Sequence, residues 1–374
     1  MHADADLHIH SSFSIACSRQ MQPDRLIAAC VTRGLSVLGS GDALLPAWRN
    51  AWEPYLGNEA GIIIVPEAEV EDRDRVHHLI LMEDFSGFSA LAADLAPYSS
   101  DISTGGRPRV RLPGEVIAAA VHALGGLIGP AHAFTPWTSL YASFDGVADC
   151  YGDEPIDFLE LGLSADTHLA SAIPDLAGVP FLSNSDAHSP DPARLGREWN
   201  QLDCRELSAA GVLESIRAGR IVMNAGFFPE EGKYHRTACS RCYRQYTREE
   251  AEACGWRCPD DRGPIKKGVA DRASELATGT VTPRPPYLHA IPLAEVIARC
   301  LDASSPSIKR VRVRYERLIA EFGNEIAILT RVPVTAIRGI DPAVASAIDA
   351  LRSGRVILLP GGGGRYGSFS FPNP

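Results

Sequence analysis

Lysine is almost absent from this chain: it occurs four times in 374 residues and never before position 233. Also missing is any apolar run near the ~18 residues that would span a bilayer. The opening residues lack the basic start and apolar stretch of a secretory leader. The expectation is a cytoplasmic protein with no membrane partner. In that compartment nine cysteines argue for thiols and metal ligands rather than structural disulfides. Neither a long-period repeat nor an extended low-complexity segment is present, which excludes a solenoid and a largely disordered chain. The remaining composition, 45% hydrophobic and 22% charged, is that of a globular protein. Its length exceeds one compact core and implies two or three domains.

The lysine deficit marks a division of charge. Residues 1–230 carry 14 Arg and no Lys against 31 acidic residues, a net of −17, whereas residues 231–374 carry 22 basic against 15 acidic residues, a net of +7. An acidic half rich in His suits cation binding and a basic half suits a polyanion. The alternative is two solvated surfaces of different composition.

Over the first 225 or so residues, short apolar runs alternate with helical patterns. Candidate strands are Ala5–His10, Val37–Ser40, Gly61–Val70, Val76–Met82, Leu127–Pro130, Phe158–Leu161, Phe181–Asn184 and Ile221–Asn224. Helical stretches include Pro23–Arg33, with Pro at its start and Gly34 at its end, and Pro113–Ala123. This alternation predicts βα units, a parallel sheet and, because polar residues gather at strand ends, a barrel. From Cys239 the texture turns to cysteines, aromatics and Arg. Pro283-Arg284-Pro285-Pro286 is a linker or turn that no helix runs through, and Leu293–Leu301, Ser307–Glu321 and Ala343–Arg352 read as helices. The expected domains are 1–230, 231–280 and 281–374.

His8 and His10 are spaced i, i+2, so on an extended segment both imidazoles reach one side. Candidate metal ligands in chain order are His8, His10, Asp42, Glu69, His78, His132, Asp186 and His188, each at a strand end. A single His on an apolar strand is more often a hydrogen-bonded core residue, and His77, facing away from His78, is given that structural role here. Eight such groups at consecutive strand ends point instead to a multi-metal hydrolytic site, its His and carboxylate donors suiting Zn²⁺, Mn²⁺ or Fe better than Ca²⁺ or Mg²⁺ alone.

Cys239-Ser240-Arg241-Cys242 is a Cys-x₂-Cys knuckle, followed by Cys254 and Cys258. Four thiols in twenty residues suggest a structural zinc, whose fourth ligand is Cys254 or Asp261. A redox pair would need a thioredoxin-like context that is absent. Lys233, Arg236, Arg241, Arg244, Lys266, Lys267 and Arg272 surround the cysteines, with Lys309, Arg310, Arg312 and Arg314 beyond. Such clusters neutralise phosphates, although Arg310-Val-Arg312-Val-Arg314 also fits a solvated face. Ile337–Ile348 reads as an αα-hairpin with a Gly turn, faintly similar to a DNA-binding helix-hairpin-helix.

His8-Ile9-His10-Ser11, the Asp42 segment, Pro66-x-x-Glu69, His78-Leu79, His132 and Asp186-Ala187-His188 resemble the motifs of the PHP (polymerase and histidinol phosphatase) superfamily. That resemblance implies a distorted (β/α)7 barrel holding two or three divalent metals, Zn, Mn, Mg or Fe, and selects Glu69 over Glu67. Asp42 departs from the His that many members carry. Further motifs run in order: Ser183–Ser189, Leu195-Gly196-Arg197-Glu198-x-Asn200, Glu231-Gly232-Lys233-Tyr234-His235, Gly268-Val269-x-x-Arg272, Arg284-Pro285-Pro286-Tyr287 and Phe322-Gly323-Asn324-Glu325. Together these are similar to the endonuclease Q family over nearly the entire chain. The resemblance implies a nucleoid-associated nuclease that nicks DNA 5′ to deaminated bases (uracil, hypoxanthine, xanthine) and abasic sites. In that scheme Asp186, His188, His8 and His10 hold the nucleophile-generating metal and Glu69 bridges. His78, His132 and Asp42 complete the neighbouring positions. A PHP phosphatase acting on a small monoester and a non-catalytic DNA-binding protein are the competing readings. A sliding clamp is a candidate partner, although no Gln-x-x-hydrophobic-x-x-Phe-Phe motif is present.

Overall fold

The computed structural model describes residues 1–372. Strand β1 (His2–Asp6) pairs in parallel with β2 (Val37–Gly39), and β2 with β3 (Ile63–Val65). The chain then departs from the expected parallel order. Strands β4 (Glu67–Glu71), β5 (His77–Leu81) and β6 (Leu127–Pro130) form an antiparallel sheet. The Asp72 carboxylate explains the reversal between β4 and β5: it accepts from the Asp74 and Val76 amides at 2.9 and 2.8 Å and closes a tight turn. Strands β7 (Leu159–Glu160) and β8 (Phe181–Leu182) pair in parallel. The wall closes where Ile9 bridges to Ala187, with the His10 amide donating to Ala187 O at 3.0 Å. The result is a distorted α/β barrel in which Leu127–Pro130 forms as predicted, Gly61–Val70 divides at Pro66 into β3 and β4 of different sheets, and the other predicted strands are recovered with shifted ends.

Strand β9 (Trp199–Asp203), which was not anticipated, runs antiparallel beside β1, and β10 (Ile221–Gly226), predicted over Ile221–Asn224, runs antiparallel beside β9. Strands β11 (Ala238–Cys239) and β12 (Ile265–Lys266) frame the cysteine module. Strand β13 (Tyr287–His289), following the Pro-rich linker, pairs in parallel with β10 and so joins the barrel's sheet. Arg284 fixes the linker by donating to Val179 O at 2.6 Å and Leu176 O at 2.5 Å, its guanidinium 3.8 Å from the centre of the Phe181 ring.

Helices follow their end signals. Pro23–Arg33 begins with Pro and stops at Gly34, whose φ of 95° suits a residue without Cβ. The C-terminal helices Leu293–Cys300, Lys309–Phe322, Glu325–Thr330, Val334–Ile340 and Pro342–Arg352 enclose their own core, including Ile297, Val311, Leu318 and Ile348. Gly339 lies inside Val334–Ile340 rather than in the hairpin turn; Asp341 makes the turn and caps the next helix by accepting from the Val344 amide. A last hairpin, β14 (Ile357–Leu359) with β15 (Ser368–Ser370), packs on this unit. No helix of the described residues is long and apolar enough to cross a membrane.

Candidate metal centre and its surroundings

The segment beyond β1 stays extended, and its i, i+2 spacing carries both His8 and His10 into the barrel mouth with ring centres 5.2 Å apart. Glu69 comes up from β4 between two groups of imidazoles. Its Oε2 lies 3.8 Å from His8 Nε2 and 3.4 Å from His10 Nε2, while its Oε1 lies 2.9 Å from His77 Nδ1 and 3.0 Å from His132 Nε2. Asp186 Oδ1 stands 3.1 Å from His10 Nε2 and 3.9 Å from His8 Nε2. His188 completes the rim, its Nδ1 donating to Asp186 O at 2.9 Å. About a third of the Asp186 and His188 side chains is exposed (32% and 34%), whereas His8, His10 and Glu69 are buried. The site is a cup with a buried floor and an open edge.

The backbone is bent to build it. Asp42, His132 and Asp186 adopt φ of 43°, 31° and 46°, a left-handed region that non-glycine residues rarely occupy and that concentrates at functional sites.

Charge inside the cup is unevenly compensated. Burial opposes protonation of His8, but Glu160 and Glu69 outweigh it and hold the imidazole pKa well above its usual range. Burial likewise disfavours the charged Glu69, yet His77, His10 and His132 keep its carboxyl well below the ordinary range. Even so, His8 Nε2, His10 Nε2, His132 Nδ1 and Asp186 Oδ1 are buried without a hydrogen-bond partner. Leaving such groups unpaired is costly, and imidazole nitrogens converging with carboxylate oxygens are the donor set of divalent metal ions. The residues therefore fit divalent metals.

Behind these groups sits a supporting layer. His8 Nδ1 donates to Glu160 at 3.0 Å, and Glu160 also accepts from the His132 amide at 2.7 Å and from Asn184 Nδ2 at 2.8 Å. This fixes the His8 tautomer with Nε2 toward the cup. The Asn184 Oδ1 in turn accepts from Asn200 Nδ2 at 2.9 Å, and Asn200 Oδ1 from Asn224 Nδ2 at 2.9 Å, a buried amide ladder across the barrel. Glu160 was absent from the sequence reading, although a carboxylate ending the strand run Phe158-Leu159 was a usable signal.

Three sequence assignments are corrected. His78 does not reach the cup: it faces the opposite side of β5, where Nδ1 meets the Tyr151 hydroxyl at 2.6 Å and Nε2 lies 3.1 Å from Asp72. His77, given a structural role from the sequence, is the residue beside Glu69. Asp42 stands behind His10 rather than among the converging atoms. It accepts from His10 Nδ1 at 3.2 Å, from the Ser11 amide at 2.7 Å and from the Ser11 and Ser14 hydroxyls.

In the cysteine module, Cys239, Cys242, Cys258 and Asp261 bring their ligand atoms within 4.8 Å of one another. Cys242 and Cys258 sulfurs lie 3.6 Å apart, and Cys239 Sγ lies 3.4 Å from Asp261 Oδ1. Cys254 ends the helix Arg248–Ala253 and packs on the module's small core, outside this group.

The basic residues fall into two sorts. Arg272 is consumed by the Tyr141 and Phe144 carbonyls, Asp145 and Glu275, and Lys267 by Glu275. Arg244 pairs with Asp260, Arg241 reaches Asp261 O, Arg310 turns back on Leu301 O, and Arg312 lies 3.7 Å from Glu316. Arg236 is exposed beside the β11 strand. Lys233 stands over the Tyr234 and Tyr366 rings and Lys266 over Trp137, with Trp137 and Tyr234 4.5 Å apart. Lys233 and Lys266 were among the predicted basic residues; their pairing with the rings of Tyr234 and of Trp137, five residues beyond His132, was not anticipated from the sequence.

Comparison with known proteins places these features in context. The PHP-associated family matches residues 168–221 and the MJ0043 C-terminal domain family residues 292–355. The crystal structure of the lesion-specific endonuclease PfuEndoQ from Pyrococcus furiosus is 43% identical, covers 100% of this chain and 96% of that one, and superposes with a TM-score of 0.96. A structure of endonuclease Q with a 27-mer duplex carrying an abasic lesion at the active site is 42% identical, covers 100% and 97%, and gives 0.95. The uncharacterized protein MJ0043 of Methanocaldococcus jannaschii is 45% identical over 246 residues, which are 64% of this chain and 31% of that protein, so the chain spans about a third of that relative.

Proposed function

The chain belongs to the endonuclease Q family, and from that premise we propose that it is a DNA repair endonuclease that hydrolyses the phosphodiester 5′ to deaminated bases and abasic sites. The observation that carries the reading is Glu69, with one oxygen turned to His8 and His10 and the other to His77 and His132. His8, His10, Glu69, Asp186 and His188 would hold one divalent ion, Glu69, His77 and His132 a second. Zn²⁺, Mn²⁺ or Fe suit this donor set. Bound there, such ions lower the pKa of water and offset charge on the leaving oxygen.

The chain's own groups supply the rest. Glu160 and Asp42 hold His8 and His10 by their Nδ1 protons, so neither ring rotates away from the cup. The buried floor excludes bulk water, while the open edge at Asp186 and His188 admits a backbone phosphate. Water attacks phosphorus, the bond to the 3′ oxygen breaks, and the products are a 3′-hydroxyl and a 5′-phosphate. Cys239, Cys242, Cys258 and Asp261 would hold a structural zinc, which would stiffen the adjoining module. Lys233 and Lys266 present ammonium groups and Trp137 and Tyr234 present rings, chemistry that suits phosphates and an everted, weakly paired base.

The test is a labelled duplex containing uracil, hypoxanthine or an abasic site, incubated with Mn²⁺, Mg²⁺ or Zn²⁺ beside p-nitrophenyl phosphate. A single nick 5′ of the lesion, with undamaged duplex intact, is the expected result. Colour release alone would identify a small-molecule phosphatase, and neither product a non-catalytic binder; each overturns the proposal.

A further inference from the structure

One cation stands inside the rim of the carboxylate cup without a part in holding metal. Arg107 Nη1 donates to Glu69 Oε2 at 3.1 Å, the oxygen that faces His8 and His10. That is the guanidinium's one hydrogen bond among the described residues, and 34% of the side chain is exposed. Its neighbour Arg109 turns outward to Glu71 Oε1 at 2.7 Å, and Arg33, Arg197 and Arg284 are spent on backbone carbonyls.

The loop that carries Arg107 is clamped on both sides. Before it, Asp101 O accepts from the Thr104 and Gly105 amides at 3.0 and 2.8 Å. After it, Glu71 accepts from the Val110 amide at 2.7 Å and donates to Pro108 O at 3.0 Å. Between them Gly106 lies so close to the site that a Cβ would collide with Ser14 Oγ and come within 2.6 Å of Asp42 Oδ2. The chain thus presses against the residues that position His10, and Arg107 reaches across the cup's edge to Glu69.

When divalent ions draw on Glu69, the guanidinium has like charge on its inner side and open solvent on its outer side. Its planar fork matches two oxygens of one phosphate. We propose that Arg107 binds the non-bridging oxygens of the scissile phosphate and neutralises the charge that builds on them as water adds to phosphorus and the bond to the 3′ oxygen breaks. This rests on the endonuclease reading above.

Full-length Arg107→Ala and Arg107→Lys proteins, assayed on an abasic duplex, test it. The expected loss in kcat for Arg107→Ala is about 100-fold or more. Metal content should be unchanged, and duplex affinity in EDTA should stay within about threefold. Millimolar guanidinium should restore part of the Arg107→Ala rate, and Arg107→Lys should recover little because a point charge lacks the fork. Parental kcat in Arg107→Ala, or a loss that follows metal content, overturns the inference while the parental enzyme still cuts. A parental enzyme that cuts no lesion overturns the endonuclease reading and this inference with it.

Discussion

His77 and His78 are adjacent imidazoles with opposite fates, and the register of one hairpin decides between them. Asp72 closes the turn so that Glu71 pairs with His77, Val70 with His78 and Glu69 with Leu79. Cross-strand partners share a face and alternate residues return to it, so His77 and Glu69 share a face and His78 lies opposite. The sequence reading chose His78 over His77, because both faces of β5 are buried and hydrophobic alternation carries no sign there. Counting back from the Asp72 turn would have settled it. His77→Ala should therefore strip metal and lower kcat at least about 100-fold, beyond the loss typical of a supporting partner. His78→Ala should retain metal but cost about 1–3 kcal/mol, since the Tyr151 hydroxyl and Asp72 lose a buried partner. Metal analysis beside urea titration separates the two, and equal metal loss in both variants would refute the assignment.

Elements with clear punctuation were legible: Pro23–Arg33 forms as read, between its leading Pro and Gly34, and β6 occupies the predicted Leu127–Pro130. Strand direction was not, because a run buried on both faces reads alike in parallel and antiparallel sheets. Strand β13 was hidden for another reason: Pro285 and Pro286 announce a linker, yet from the very next residue, Tyr287, the chain pairs with β10. In the cysteine module, spacing identified the knuckle but not whether Cys254 or Asp261 lies beside it; the helix Arg248–Ala253 ends with Cys254 outside the group that Asp261 joins. The Tyr246 hydroxyl, 3.1 Å from Cys258 Sγ, holds that thiol below its usual pKa and favours the thiolate a metal needs. Asp261→Ala should weaken zinc retention at least about tenfold, Asp261→Cys should strengthen it, and Cys254→Ser should change neither. Chromogenic chelator competition measures this; zinc loss in Cys254→Ser equal to that in Asp261→Ala would exclude the assigned ligand set.

At the scale of the whole molecule, the charge division read from composition overstates the basic surface free to meet a polyanion, since Arg272 and Lys267 serve internal ion pairs. Replacing Lys233 and Lys266 by Gln should lower the salt slope of duplex affinity by roughly two, at about 0.9 per phosphate contact, and an unchanged slope would remove them from the interface. The two ends of the chain are joined by a different device. Arg33, at the end of the first helix, is buried against Glu325, and its Nε donates to Gly196 O at 2.8 Å. Glu325 also accepts from the Leu293 amide at 2.7 Å and the Tyr315 hydroxyl at 2.8 Å. The motifs Leu195-Gly196-Arg197 and Phe322-Gly323-Asn324-Glu325 thus meet at one junction between barrel and C-terminal helices. Breaking a buried pair strands a charge and costs about 3–5 kcal/mol, whereas replacing both partners by apolar groups often costs little. Arg33→Met alone should therefore destabilise the protein by about that amount, and adding Glu325→Leu should recover only part, because the Leu293 amide and Tyr315 hydroxyl would then lose their acceptor. Full recovery in urea titration would mean that Glu325 serves Arg33 alone, and no loss in the single variant would mean that the junction does not hold the two units together.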